Sequence, residues 1–258
     1  MISKTGIQWT GGTYNPWYGC KKISEGCKFC YMYRDRYNDG VDPSIVLKSK
    51  PETFYKPLSN ETQTLIFTCS WSDFFNSEAD QWRPEVWEII KNTPHVYQIL
   101  TKRPERILEC LPSDWGDGYE NVWIGVSVEN QNRVNRIDVL KDIPSKTKFV
   151  SFEPLLEEIN LSESHLETID WAIIGGESGE LEGDYGFREC KLDWIEILVD
   201  DLKSYDIPVF VKQLGTHIAI ENNLQDVKKG GKMNEFPPHL QIREFPNGLR
   251  YSDDKIYF

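Results

Sequence analysis

From residue 64 onward, short apolar runs rich in β-branched and aromatic residues alternate with longer segments whose apolar positions recur every three or four residues. The runs are TLIFTCS (64–70), HVYQILTKRP (95–104), NVWIGVSVEN (121–130), KFVSFEP (148–154), DWAIIGGESG (170–179) and IPVFVKQLG (207–215). Between them lie RPEVWEIIKNT, PERILEC, NQNRVNRIDVLKDI, SESHLETI and KLDWIEILVDDLKSY. In the last of these, Leu192, Ile195, Leu198, Val199 and Leu202 share one helical face; in the first, Pro84 suits an opening turn, where a missing N–H costs nothing. Strand followed by helix, repeated, predicts β-α units and a parallel sheet. With GGTYNPWYG as a leading strand, the chain makes about seven such steps, which predicts an α/β fold built as a partial or irregular (β/α) barrel of about six to seven parallel strands.

The barrel is expected to occupy residues 1–216. From 217 to 258 the chain is broken by Gly-Gly and Pro-Pro, with two short strand-like pieces, HLQIREFP and LRYSDDKIYF, and reads as a C-terminal cap or extension of the same domain. Barrels of this kind gather function at the carboxyl ends of their strands. Polar residues collect there at every step: Thr68, Ser70 and Asp73; Thr101, Lys102 and Arg103; Ser127, Glu129 and Asn130; Ser151 and Glu153; Glu177 and Ser178; Lys212 and Gln213. One polar strand end only marks the exit from the core, but repetition around the rim points to a shared pocket.

Composition narrows the class. Hydrophobic residues make up 39% of 258 and aromatics 13%, enough for a packed core. A formal charge of −12 opposes indiscriminate attraction to nucleic-acid backbones, although a local basic groove is compatible with it. No run approaches the roughly 20 apolar residues of a membrane span, and the start lacks an apolar leader, so a cytoplasmic protein without a membrane partner is expected. In a reducing compartment, closely spaced cysteines serve metal binding or redox chemistry more often than disulfides.

Three of the six cysteines fall in GCKKISEGCKFCYMY, at 20, 27 and 30. Three thiolates on one loop suit a [4Fe-4S] cluster with one iron left for an exogenous ligand, whereas electron-transfer clusters usually take four. Gly19 and Gly26 would let the backbone run close to such a core, and the KKISEG interval would bulge outward, placing Lys21, Lys22 and Glu25 on the surface. The competing reading is zinc, which wants four ligands and would need Cys69 as the fourth; Cys110 and Cys190 read as ordinary semi-buried thiols.

The cysteine stretch resembles the motif of the radical S-adenosylmethionine superfamily, with six residues in place of the usual three in its first interval and Phe29 at the aromatic position before the last cysteine. More closely, GIQWTGGTYNPWYGCKKISEGCKFCYMY, LTKRP, GVSVEN, SFEPLL, GGESG, VFVKQLG and IREFP, in order along the chain, resemble a phage-associated radical-SAM-like family. The resemblance implies Cys20, Cys27 and Cys30 as cluster ligands and S-adenosylmethionine as a second cofactor. It implies Lys102, Arg103 or Lys212 for the methionyl carboxylate and Ser127, Glu129 and Glu153 for the ribose and amino groups. Gly175, Gly176 and Glu177 resemble a Gly-Gly-Glu strand end that holds the methionyl amino group, here after the sixth strand instead of an early one. The implied activity is reductive cleavage of S-adenosylmethionine to a 5′-deoxyadenosyl radical that abstracts hydrogen from a substrate, with an electron donor as partner.

Two other classes remain open at this point. One is a non-catalytic iron-sulfur or zinc protein acting through a partner, and the other an ordinary (β/α) enzyme such as a lyase with a structural metal. The sequence leaves the substrate among a nucleotide, nucleic acid, peptide or small metabolite; the phage association alone favours nucleic-acid or nucleotide modification or repair.

Overall fold

The computed structural model describes residues 5–258 except 247, 253, 254 and 258. Strand β1 (Gly12–Tyr14) leads towards the cysteine loop; β2 (Trp17–Tyr18) and β3 (Leu47–Lys48) form a small antiparallel pair on either side of helix α1 (Tyr31–Asn38). After α2 (Pro51–Phe54) the alternation seen in the sequence is realised: β4 (Leu65–Thr68), α3 (Arg83–Lys91), β5 (Val96–Thr101), α4 (Ile107–Cys110), β6 (Val122–Ser127), α5 (Asn135–Lys141), β7 (Thr147–Leu155), α6 (Glu163–Leu166), β8 (Trp171–Gly176), α7 (Leu192–Ser204), β9 (Val209–Gln213) and α8 (Thr216–Glu221). The sheet order is β1-β4-β5-β6-β7-β8-β9 and every neighbouring pair is parallel. Seven strands curl into a half-barrel with helices around it, as the repeated strand-helix pattern predicts.

Alternation along the strands sorts side chains onto two faces. Outward residues, among them Ile66, Tyr97, Ile99, Ile124, Val126, Val150, Ala172 and Val211, pack against Val86, Trp87 and Ile90 of α3, Ile137 and Leu140 of α5, and Ile195, Leu198 and Leu202 of α7. Inward residues build a second core of Leu65, Trp123, Phe149, Trp171, Ile173 and Phe210, joined by Trp9. With both faces covered, β6 and β8 are buried along their whole length, as a parallel sheet requires.

The C-terminal segment completes this inner core. Residues near Arg243 lie antiparallel to β9, Val211 N–H donating to Ile242 O at 2.9 Å and Glu244 N–H to Val209 O at 2.9 Å. Of the expected HLQIREFP strand only this bridge forms. Phe245 stacks on Trp171 at 5.2 Å, and the Trp171 indole N–H donates to Glu244 O at 2.8 Å. The lumen therefore has an aromatic floor. LRYSDDKIYF forms the hairpin β10 (Arg250–Ser252) and β11 (Lys255–Tyr257), with 253, 254 and 258 outside the described residues. No helix among the described residues is long and apolar enough to cross a membrane.

Candidate functional site

The cysteine loop starts at Gly19, whose φ of +91° and whose place against Ile45 leave no room for a side chain: an added Cβ would lie 2.0 Å from the Ile45 carbonyl oxygen. Gly19 N–H donates to Trp71 O and Cys20 N–H to Pro43 O, which fixes where the first thiol begins. The chain then bulges outward, with Lys21, Lys22 and Glu25 exposed as the spacing suggests, makes a single 3-10 turn over Glu25–Cys27, and enters α1 with Cys30 at its N-cap. Tyr33, one turn into that helix, donates its hydroxyl to Cys20 O and so ties the two ends of the loop together.

Three strand ends hold the loop against the rim. After β5, Arg103 approaches the Cys20 sulfur at 3.7 Å and donates to Lys21 O at 2.9 Å. Asp73 holds that guanidinium at 3.0 Å while also accepting from Thr101 Oγ1 at 2.7 Å and from the backbone N–H groups of Phe75 and Lys102 at 3.0 Å. After β6, the fully buried Glu129 pairs with Arg136 at 2.5 Å and accepts from the Ser24 hydroxyl. Gly26 lies so close to Glu129 that an added Cβ would meet its Cγ at 2.4 Å. After β8, Glu177 receives Arg188 through its Nε at 2.8 Å and its Nη2, and the same guanidinium donates to Glu25 O at 2.8 Å and covers the Phe29 ring at 5.5 Å.

The three thiols are free and partly exposed. Burial, helped by the Asp73 carboxylate, pushes the Cys20 thiol up to about 12, and Arg103 works against that rise. Burial also raises the Cys30 thiol, opposed by the Met32 backbone N–H and by the charge of Lys102. Cys27 sits 3.8 Å from the Ser24 hydroxyl. Cys69, by contrast, is 2% exposed and belongs to the outer core between sheet and helices.

Inside the mouth, above the aromatic floor, lie Ser127, Ser151, Glu153 and Lys212. Lys212 pairs with Glu153 at 2.8 Å, and Ser151 Oγ lies 3.4 Å from the same carboxylate. Gly175 keeps space beside Glu153, since its Cβ would fall 2.6 Å from Oε1, and Gly176 is pressed against the Leu214 carbonyl. Sequence reasoning thus named residues that fall into two groups. Phe29, Arg103, Glu129 and Glu177 secure the loop; Ser127, Glu153, Gly175 and Lys212 line the lumen. It missed Asp73 as a hub, Arg136 and Arg188 as the cations behind Glu129 and Glu177, and Tyr33. Nothing in the local pattern around Arg188 marks it, because its partners are 11 and 163 positions away.

Residues 4–240 match the family model described as "Protein of unknown function (DUF5131)". No curated protein matches the chain, and no solved structure does. This corrects the assignment to a phage-associated radical-SAM-like family: the model that matches is a different one, and the described residues include no group of three or more His, Cys, Asp or Glu that could hold a metal ion. In the loop Cys20 lies against Arg103, Cys27 beside Ser24 and Cys30 at the start of α1. With more than nine-tenths of its length matched, the chain belongs to the protein family of unknown function DUF5131.

Proposed function

We propose that the protein is an enzyme working at the mouth of its half-barrel, with Cys20, Cys27 and Cys30 as ligands of a [4Fe-4S] cluster and S-adenosylmethionine as cosubstrate. The observation that carries this reading is the loop itself: three free thiols on one segment, secured to three strand ends, with Arg103 and Lys102 beside two of them. Three thiolates are the number that a four-iron core with one open iron accepts, whereas a structural zinc wants four ligands converging at ~2.3 Å, and the described residues gather no three such donors around a single ion. When bound, such a cluster supplies the electron for reductive cleavage of the sulfonium.

The protein's own groups have three tasks. Arg103 and Lys102 offset the cost of ionising the partly buried thiols of Cys20 and Cys30. Lys212, Glu153, Ser127 and Ser151 offer a cation, an anion and hydroxyls to the polar groups of a ligand in the lumen. The floor of Trp123, Phe149, Trp171 and Phe245 keeps water from entering behind it.

The test is anaerobic reconstitution with iron and sulfide, followed by S-adenosylmethionine and a strong reductant. Retained iron, a broad band near ~400 nm and release of 5′-deoxyadenosine are expected, all lost when the three cysteines become alanine. Iron that stays on the triple variant overturns the ligand assignment; a cluster that leaves S-adenosylmethionine intact overturns the enzymatic reading in favour of a binding protein.

A further inference from the structure

Immediately outside the thiol loop, between the end of β5 and the start of α5, lies a cleft of about 360 Å³, within the roughly 300–1,000 Å³ range of small-ligand sites. Its lining concentrates charge of one sign. Lys102, Arg103, Arg106, Arg133 and Arg136 face it with a single acid, Glu105, on a chain whose formal charge is −12. Five cations around one small cleft in so acidic a protein are not a sample of the average surface.

Four of the cations are arginines held by carboxylates that do not line the cleft: Arg103 by Asp73 at 3.0 Å, Arg106 by Asp80 at 2.9 Å, Arg133 by Glu25 at 2.9 Å and Arg136 by Glu129 at 2.5 Å. These pairs orient the guanidinium groups without using all of their five donors. Arg136 bonds through Nη1 alone, to Glu129 and to Ser127 O at 2.6 Å, so its Nε and Nη2 take no partner among the described residues. The Lys102 ammonium makes no hydrogen bond or ion pair among the described residues, and its backbone N–H alone is held, by Asp73. A lattice that served only to secure the loop would have no use for an unpaired lysine.

We infer that this cleft binds a phosphate ester, with Lys102 and Arg136 as its principal donors and Arg133 at its edge. A carboxylate has two acceptor atoms in one plane; the non-bridging oxygens of a phosphate ester, three in a monoester and two in a diester, are arranged tetrahedrally about phosphorus with the ester oxygens, which suits cations arriving from β5 and from α5. The position is informative as well. Arg103 touches both the cleft and Cys20, Arg133 holds Glu25, and Ile23 of the loop forms part of the wall. A phosphate seated here puts the rest of its molecule beside the thiols. The inference does not require that the loop carry a cluster, so it is tested on metal-free protein, where its failure is separate from failure of the cofactor reading.

Pyrophosphate, a nucleoside monophosphate and a short single-stranded oligonucleotide are titrated at low ionic strength by calorimetry into the wild type, Lys102→Gln and Lys102→Arg. Saturable binding of at least one probe is expected, weakened about tenfold or more by Lys102→Gln and largely restored by Lys102→Arg. If the oligonucleotide binds tightest, with a salt slope that falls by about one in Lys102→Gln, the ester comes from a nucleic-acid strand; if the monophosphate matches it, from a small molecule. Absence of saturable binding for all three probes, or equal affinity of wild type and Lys102→Gln, overturns the proposal. The Lys102 side chain has no hydrogen bond or ion pair to lose and its backbone N–H bond to Asp73 is kept in both variants, so folding is not at issue, and Arg133→Gln, expected to weaken binding less, gives a second, independent variant.

Discussion

Replacing Asp73 with asparagine removes one charge from a place where the fold uses four donors. The Asp73 and Arg103 side chains are 7% and 10% exposed and 3.0 Å apart, so solvent screens them little. Asparagine at this site keeps one acceptor oxygen, able to serve Thr101 Oγ1 and Phe75 N–H, but turns an amide NH2 towards Lys102 N–H and Arg103 Nη1, which lose their acceptor. Removing one member of a buried ion pair costs about 3–5 kcal/mol, chiefly because the other charge stays behind uncompensated. For a chain of 258 residues this is a fall in Tm of roughly 6–20 °C. The assay is urea unfolding followed by tryptophan fluorescence on wild type, Asp73→Asn, Arg103→Gln and the double variant. If the orphaned guanidinium is the cause, the double variant recovers about 1–3 kcal/mol of what Asp73→Asn loses. A single variant within about 1 kcal/mol of wild type, or a double variant whose losses simply add, refutes the reasoning.

Three further outcomes follow from particular contacts. Gly125→Ala sets a Cβ about 2.5 Å from the Phe149 ring, and destabilisation of about 1–3 kcal/mol is expected in the same assay, relieved when Phe149 is shortened to Leu. Arg188→Ala frees Glu177 and the Glu25 carbonyl, so hydrogen exchange and limited proteolysis across residues 24–30 should accelerate while the exchange of β6 and β8 stays unchanged. Burial pushes the Cys190 thiol up to about 12, so between about pH 9 and 12 the unfolded chain releases a proton that the folded protein keeps. The stability this thiol contributes is present below about pH 9 and is lost as pH rises; Cys190→Ala should flatten the loss by up to about 1.4 kcal/mol per pH unit, read from urea midpoints across that range.

Much of the fold is written in periodicity. The six apolar runs became β4 to β9, and Leu192, Ile195, Leu198, Val199 and Leu202 became the inner side of α7, because strand and helix repeats are local and each run is short. The polar rim was legible for the same reason: a residue just past the end of a parallel strand has nowhere else to go. What those rim residues do was not legible. Glu129 and Glu177 look alike as ligand-holding acids in the sequence, yet each is buried against an arginine further along the connection that follows its own strand, seven positions on for Arg136 and eleven for Arg188, and no motif marks which arginine that is. The likeness of GCKKISEGCKFCYMY to a superfamily motif misled as to family for a related reason. A motif records which residues occur at which interval; the six-residue interval is filled here by a turn that binds Glu129 and Arg188, an arrangement that spacing does not encode.

The way the cysteine loop is secured has a thermodynamic consequence. Ordering the six-residue excursion between Cys20 and Cys27 costs about 1–2 kcal/mol per residue in conformational entropy. Here the ion pairs at three strand ends meet that cost when the chain folds, so it does not recur when something binds. Whatever engages the thiols meets a preorganised rim, and its affinity is set by contact chemistry instead of by loop ordering.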